Sequence, residues 1–399
     1  MRRMICASLI ALLAAATISW GAELVNVSLE RDEHKETDKK KENRLGFLRV
    51  ERVLKMDNLQ IRYEAYVHEE DRTPYHEQYA DWFLGCDFGR VHGNGGWNLW
   101  SFLDMTISPP EGNAYSAVPS QALDDFVAVE ESNRGLVDMC WPTPPEGTLC
   151  VRVLKLPEDT HWAFLEVGID GETDSVVSSI AISSYPYNTS KTGEQPRQRW
   201  VTTLMSDYET TDQPREISAQ DEWALIMHNK LSQEDGGVTL LLDPTEVSSL
   251  QVWGTYPVYA RFTPAEGVRY VHIGMSYFAD EHHEVAAERM REQASGWLKR
   301  MRSLDFSAHP APQPGHQEAD EDVQWLLQFE AIANDFAEKM ATARQEEVEL
   351  TAALKNAAQT GARPDRAVER DLGFARQRLA DVHRAMQRRW LELLPPLNE

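Results

Sequence analysis

The chain has little cysteine, four residues in 399. No CxxC and no Cys/His spacing of the zinc-site kind occurs, which excludes a zinc ribbon and a thioredoxin-like redox motif. No metal site and no cofactor is expected. Basic residues are also scarce, with 40 Lys+Arg against 64 Asp+Glu and a formal net charge of −24. A field of that sign repels nucleic acid and anionic lipid, so nucleic acid is not an expected partner. The familiar nucleophile and phosphate motifs are missing: no GxSxG, no Ser-x-x-Lys with its partner motifs, no phosphate loop. Beyond the first twenty or so residues no run is apolar enough to span a bilayer. No internal repeat is visible apart from two matched helices near the end.

What is present begins with MRRMICASLIALLAAATISWGAE. Arg2 and Arg3 give a basic start, Ile5 to Ile18 an apolar core, and Ser19 and Gly21 small residues before a cleavage point at Ala22. Residues 1–21 therefore read as a secretory signal, and the protein as exported, either periplasmic or extracellular. Cys6 stands too early for a lipoprotein anchor. Without Arg2 and Arg3 the chain has 38 Lys+Arg against 64 Asp+Glu, a net charge of −26. Export permits disulfides. Cys140 and Cys150 flank WPTPPEGTL, where Pro144, Pro145 and Gly147 imply a chain reversal, so a Cys140–Cys150 disulfide is expected. Cys86 is left over and reads as a small buried hydrophobe.

Residues 22–45, dense in charge around HKETDKKKENR, read as a flexible arm. From 46 to 306 the pattern is β. Segments such as FLRVERVL, LQIRYEAYV, LCVRVLKL, HWAFLEVGI and VRYVHIGMSYF alternate apolar and polar residues, and Gly, Pro and Asp turns separate them. About a dozen short strands with no helix between them mean a large antiparallel β-sandwich, each sheet having one wet side. A closing helix spans 281–304, with Asp280 as its N-cap and Ala286, Met290, Ala294, Trp297, Met301 and Leu304 as its apolar stripe. Residues 307–317 form a Pro-rich linker. Residues 318–399 form a helical hairpin, turned at Gly361 and Pro364. Its stripes are Trp325, Phe329, Ile332, Phe336, Met340, Ala343 and Val368, Leu372, Ala375, Leu379, Val382, Met386, the seam of an antiparallel pair. The fold class is thus mainly β, with a C-terminal antiparallel α-helical hairpin.

The stretch most dense in candidate site residues is Tyr75 to Asp104, in which eight of thirty residues are aromatic. Tyr75, His76, Trp82, Asp87, His92, Trp97 and Trp100 combine rings with carboxylates and imidazoles, which suits a polar ligand with an apolar face, a sugar being the commonest. The plain alternative is a Trp-rich strand pair joined by the glycine turn HGNGG. Tyr185-Pro186-Tyr187-Asn188 and Trp253-Gly254-Thr255-Tyr256 are further aromatic loops. Glu281-His282-His283-Glu284 looks like a metal motif, yet neighbours on a helix point about 100° apart, and the residues four along are alanines. Acids in a first helical turn, favoured by the helix dipole, explain it better. Paired carboxylates for glycoside hydrolysis, with Asp81, Asp87 and Asp104 at hand, are too easily found among so many acids.

The strand order from about Gly46 to Phe278 resembles that of galactose-mutarotase-like β-supersandwich proteins. The segments behind this are VRVLKLPEDTHWAFLEVGIDG, ISSYPYN and WALIMHNKLSQEDGGVTLLLDPTEV. That class includes aldose epimerases and accessory domains of polysaccharide lyases and glycosidases, so the resemblance implies carbohydrate. It transfers no catalytic residue, and the helical hairpin is foreign to the class.

Three readings follow. The first is an exported, carbohydrate-associated β-sandwich protein that binds a neutral saccharide through its aromatic-rich surface. The second is a sugar-active enzyme (epimerase, lyase or hydrolase) with His76 or His92 beside Asp81 or Asp87. A buried His–carboxylate pair would favour it. The third is a scaffold or assembly protein, acting by self-association or partner docking through the hairpin.

Overall fold

The structure, a computed structural model, describes residues 27–39, 45–56, 59–70, 80–83, 100–117, 125–131, 134–143, 147–159, 161–171, 173–184, 199–229, 235–255, 257–279, 281–307, 322–360 and 366–393. The first strands are β1 (Val27–Lys35), β2 (Leu48–Met56), β3 (Leu59–Val67) and β4 (Ala80–Phe83), paired in that order as one sheet. Next come β5 (Trp100–Ser108), β6 (Tyr115–Ser116), β7 (Asp125–Glu131), β8 (Arg134–Thr143), β9 (Gly147–Lys155), β10 (Trp162–Asp170) and β11 (Val176–Ser184). The remainder are β12 (Arg199–Thr203), β13 (Asp207–Glu209), β14 (Arg215–Ile217), β15 (Ala224–Asn229), β16 (Asp235–Leu242), β17 (Val247–Trp253), β18 (Val258–Pro264) and β19 (Tyr270–Ala279). Nine of these form a sheet in the order β13-β12-β15-β16-β19-β10-β9-β8-β7, and six another in the order β14-β17-β18-β11-β5-β6.

The two large sheets face each other. Val137, Val151, Leu165 and Ile273 of the nine-stranded sheet share one apolar cluster with Met105, Ile180, Leu250 and Phe262 of the six-stranded sheet. This is the burial that the period-two pattern encodes, since alternate residues of a strand point to opposite faces. The protein is mainly antiparallel β, as its sequence pattern implies.

Three expectations are corrected here. The residues expected to be a flexible charged arm include β1, which pairs residue for residue with β2 from Val27↔Met56 to Lys35↔Leu48. Val27 and Leu29 supply the alternation that the flanking charges obscure. The nine-stranded sheet also lacks a wet outer side over its centre, because β10 is buried along its whole length. Its outward residues Leu136, Leu154, Phe164, Ile226 and Leu241 are covered by α1 (His283–Arg302), through Ala286, Met290, Ala294 and Met301, and by Phe306. Burying a side chain such as Phe164 contributes about 1.5–3 kcal/mol. The N-cap of α1 is His282 rather than Asp280, and its ring accepts from the Glu284 N–H.

The C-terminal helices are α2 (Glu330–Gln359) and α3 (Arg366–Leu393). They run antiparallel, with Arg376 on Glu347 and Arg389 on Asp335. Ile332, Met340, Leu372, Ala375 and Met386 are buried, as the two stripes imply. The first stripe is interrupted, however: helix 322–326 ends in a turn at 327–329 before α2 begins. That turn takes Trp325 and Phe329 out of the seam, leaving them 42% and 38% exposed and packed edge-on against each other, with Trp390 beside Trp325. The hairpin rests on its own sandwich, where Phe374 packs into the outer apolar cluster and Glu369 reaches Arg152 of β9.

Candidate functional site

The outer face of the nine-stranded sheet carries a row of ionisable residues where its neighbours are apolar. Strand register places Asp138 opposite Arg152, Arg152 opposite Glu166, and Glu166 opposite His272. Four adjacent strands thus contribute one charged residue each, at the same phase as Leu136, Leu154 and Phe164. Such groups remain inside only when they are paired and hydrogen-bonded. Arg152 meets that condition with a fork onto Asp138 through Nε and Nη2 at 2.6 and 2.7 Å.

His272 meets it differently. Its Nε2–H donates to Glu166 at 3.0 Å and its Nδ1–H to Glu246 at 2.8 Å. Its main-chain N–H donates to the other Glu246 oxygen at 2.7 Å. Glu246 comes from the turn after β16, so the ring is clamped between a strand carboxylate and a turn carboxylate. Burial pulls the imidazolium down, but the hydrogen bonds and charge of Glu166 and Glu246 outweigh it and raise the pKa to about 9. At neutral pH the ring is a cation held by two anions.

Beside it, Asp243 directly follows β16 and starts that same turn. Its carboxylate accepts from the Thr245 N–H and hydroxyl at 2.9 and 2.7 Å and from the Arg302 fork. Burial works against the charge, yet these bonds win and hold the carboxyl at about 2. Glu166, Asp243, Glu246, Arg269, Tyr270 and His272 line a cavity of about 550 Å³, and Met301 to Ser307 close its other side. Gly168 shapes one end. A Cβ there would sit 2.2 Å from the Tyr270 ring and 2.6 Å from the Arg269 carbonyl, so only glycine lets Tyr270 lie across β10 with its hydroxyl on Asp170 at 2.8 Å.

The cavity is of the size that holds a small polar ligand. Its walls offer fixed carboxylate acceptors, fixed cationic donors and the Phe306 ring, which lies 5.2 Å from His272. Among the described residues, no group of three or more His, Cys, Asp or Glu is placed to hold a metal ion. His283 of the Glu281-His282-His283-Glu284 motif instead stacks on His228 at 4.8 Å. No helix among the described residues is long and apolar enough to cross a membrane, which says nothing of a strand-built barrel.

Of the residues expected from sequence to form the site, Tyr75, His76, Asp87, His92 and Trp97 lie outside the described residues. Trp82 falls in β4, opposite Tyr63, and Trp100 opens β5, opposite Ser184. Trp253 stacks on Tyr259 at 5.1 Å under Arg261, which accounts for that aromatic loop as packing. The expected Cys140–Cys150 disulfide is corrected in form. The reversal between them is the β8–β9 hairpin and the two cysteines are register partners, but they stand as buried thiols with sulfurs 3.4 Å apart, and the Cys150 thiol also donates to Asp170 at 3.2 Å.

Sequence reasoning misses Glu166, Asp243, Glu246 and His272 because each reads as part of a solvated strand face or a turn. A usable signal was present. CVRVL, FLEVG and YVHIG each hold one lone ionisable residue between apolar neighbours, and LLDPTEV follows a buried strand with two acids.

No family model matches the chain, and no curated protein matches it. Among solved structures it is similar to a candidate aldose 1-epimerase from Klebsiella pneumoniae subsp. pneumoniae MGH 78578. The identity is 9% and the TM-score 0.39, over 69% of this chain and 89% of that one. It is also similar to heparan sulfate lyase HepC from Pedobacter heparinus, with 8% identity and a TM-score of 0.25. That likeness covers 59% of this chain and 35% of the lyase, so this chain spans about a third of the lyase's length. These likenesses concern the arrangement of strands.

Proposed function

We propose that the protein is an exported, carbohydrate-associated β-sandwich protein that binds a neutral saccharide in the cleft around His272. The observation that carries this reading is the Glu166–His272–Glu246 triplet opening into the cavity. Glu166, Asp243, Glu246 and Asp305 are set against Arg269, His272 and Arg302, so the lining offers donors and acceptors with little net charge. Hydroxyl groups, which donate and accept at once, suit such a lining better than a polyanion does. The rings of Tyr75 to Asp104 are the second candidate surface, supported by their density in the sequence. A glycan array probed with the secreted protein, beside His272→Gln and Trp97→Ala, tests the reading. Binding by the wild type that His272→Gln loses supports the cleft, and no binding to any saccharide sinks the proposal.

Enzymatic action on the same sugar is the second reading, favoured by a half-buried His–carboxylate arrangement. Its weakness is chemical. An acid–base catalyst works best with a pKa near the operating pH, whereas His272 stands at about 9 with both ring nitrogens engaged. Binding is therefore preferred. Incubation with the bound saccharide, followed by proton NMR, separates the two, since turnover would favour the enzyme. The exposed Trp325 and Phe329 favour a protein partner or a second copy at the hairpin, which sedimentation of the full chain would reveal.

A further inference from the structure

The segment after α1, residues 304–307, forms one wall of the cavity, and three consecutive carbonyls in it are gripped from the sheet. Arg134, at the start of β8, donates to the carbonyls of Asp305 and Ser307. Arg152, in the middle of β9, donates from Nη1 to the carbonyl of Phe306 at 2.7 Å. The same Nη1 donates to Glu369 of α3, also at 2.7 Å. A guanidinium is planar, so its donors leave in fixed directions. One edge of Arg152 is committed to Asp138, and the nitrogen that remains in use serves the cavity wall and the hairpin together. Asp138, Arg152 and Glu369 all have side chains no more than 3% exposed, so none can exchange its partner for water without reopening the packing.

We propose that Arg134 and Arg152 are positioning residues of the cleft, and that Glu369 couples the cavity wall to the seating of the helical hairpin. The meaning of this coupling for ligand rests on the cleft being the saccharide site, but the coupling itself is measurable with no ligand present. When the hairpin is seated, Glu369 balances the buried cation and fixes Nη1 between itself and the Phe306 carbonyl. Phe306 then keeps its ring against His272. When Glu369 loses its charge, Arg152 keeps Asp138, but the Nη1 geometry is no longer defined from the hairpin side.

The test is Glu369→Gln in the full chain, a change that removes the charge and keeps the shape. Hydrogen exchange is followed over 304–307, over 366–393 and over the inner strands, together with the pH titration of the His272 ring by NMR. The expected result is exchange about tenfold faster at 304–307 and over α3, with β8 to β10 still protected. The His272 titration should shift, because an opened wall changes the burial that pulls the ring's pKa down while Glu166 and Glu246 stay in place. Loosening of α3 with 304–307 and His272 unchanged would overturn the coupling, and so would a uniform rise in exchange over the whole molecule. If Glu369→Gln does not fold, Arg134→Met serves. It should loosen 304–307 and, because a coupling acts in both directions, α3 with it, and either segment left unchanged overturns the proposal. Coupling observed in a protein that binds no saccharide would count against the proposed function alone.

Discussion

Arg302, in the last turn of α1, forks onto Asp243, with Nε at 2.5 Å and Nη2 at 2.7 Å from the two carboxylate oxygens. The pair joins the closing helix to the turn that carries Glu246. Asp243 is held at about 2, below its usual range. A depressed carboxyl contributes stability above its unfolded pKa and loses it as pH falls through the folded one. Unfolding free energy should therefore drop between pH 4 and 2 by on the order of 1 kcal/mol from this site, discounted because Arg302 is exposed. Urea titrations of wild type and Asp243→Asn should show a shallower acid slope in the variant. Equal slopes would deny the pair that role.

His272 has the opposite sign. Its pKa is raised to about 9, so the folded state holds a proton that the unfolded chain releases near 6.5. The stabilisation is complete below pH 6.5 and is lost as pH rises to 9, by on the order of 2 kcal/mol. Thermal unfolding scanned across that window should show a falling midpoint in the wild type. In His272→Gln this component should vanish.

Cys140 and Cys150 should be unreactive in the native protein. The Cys150 thiol is pushed well up by its contact with Cys140, by burial and by the nearby carboxylates of Asp170 and Asp138. Since the thiolate is the nucleophile, iodoacetamide at neutral pH should label neither cysteine until denaturant is added. Rapid native labelling of either one would contradict the buried pair.

Gly168→Ala should damage the cleft from beneath. The added methyl meets the Tyr270 ring and the Arg269 carbonyl. Overpacking of this kind costs about 1–3 kcal/mol. A variant with unchanged stability, by chemical denaturation, would show that Tyr270 and β19 give way freely.

Much of the architecture was legible in the sequence. FLEVG and CVRVL alternate as strands do, and strands they are. Ala286, Met290 and Ala294 mark the face that α1 buries, and Leu372, Ala375 and Met386 mark the hairpin seam. What escaped was which faces meet. Period two shows that Arg152, Glu166 and His272 point away from Val151, Val167 and Val271. It cannot show that α1 and α3 return to cover that side, because this depends on pairings far apart in sequence, such as Arg152 with Glu369. Trp325 and Phe329 failed for a local reason, a turn inside what reads as one continuous helix. The candidate site was therefore sought in the ring-rich stretch, while the ion triplet came from three apolar-looking segments.

The most direct test of the account is calorimetric titration of an array-selected saccharide into three folded proteins: wild type, His272→Gln and Trp97→Ala. The account predicts binding by the wild type, at least about tenfold weaker binding by His272→Gln, equivalent to about 1.4 kcal/mol, and a stoichiometry of one. Full affinity in His272→Gln together with lost affinity in Trp97→Ala would contradict it and place the ligand on the aromatic stretch.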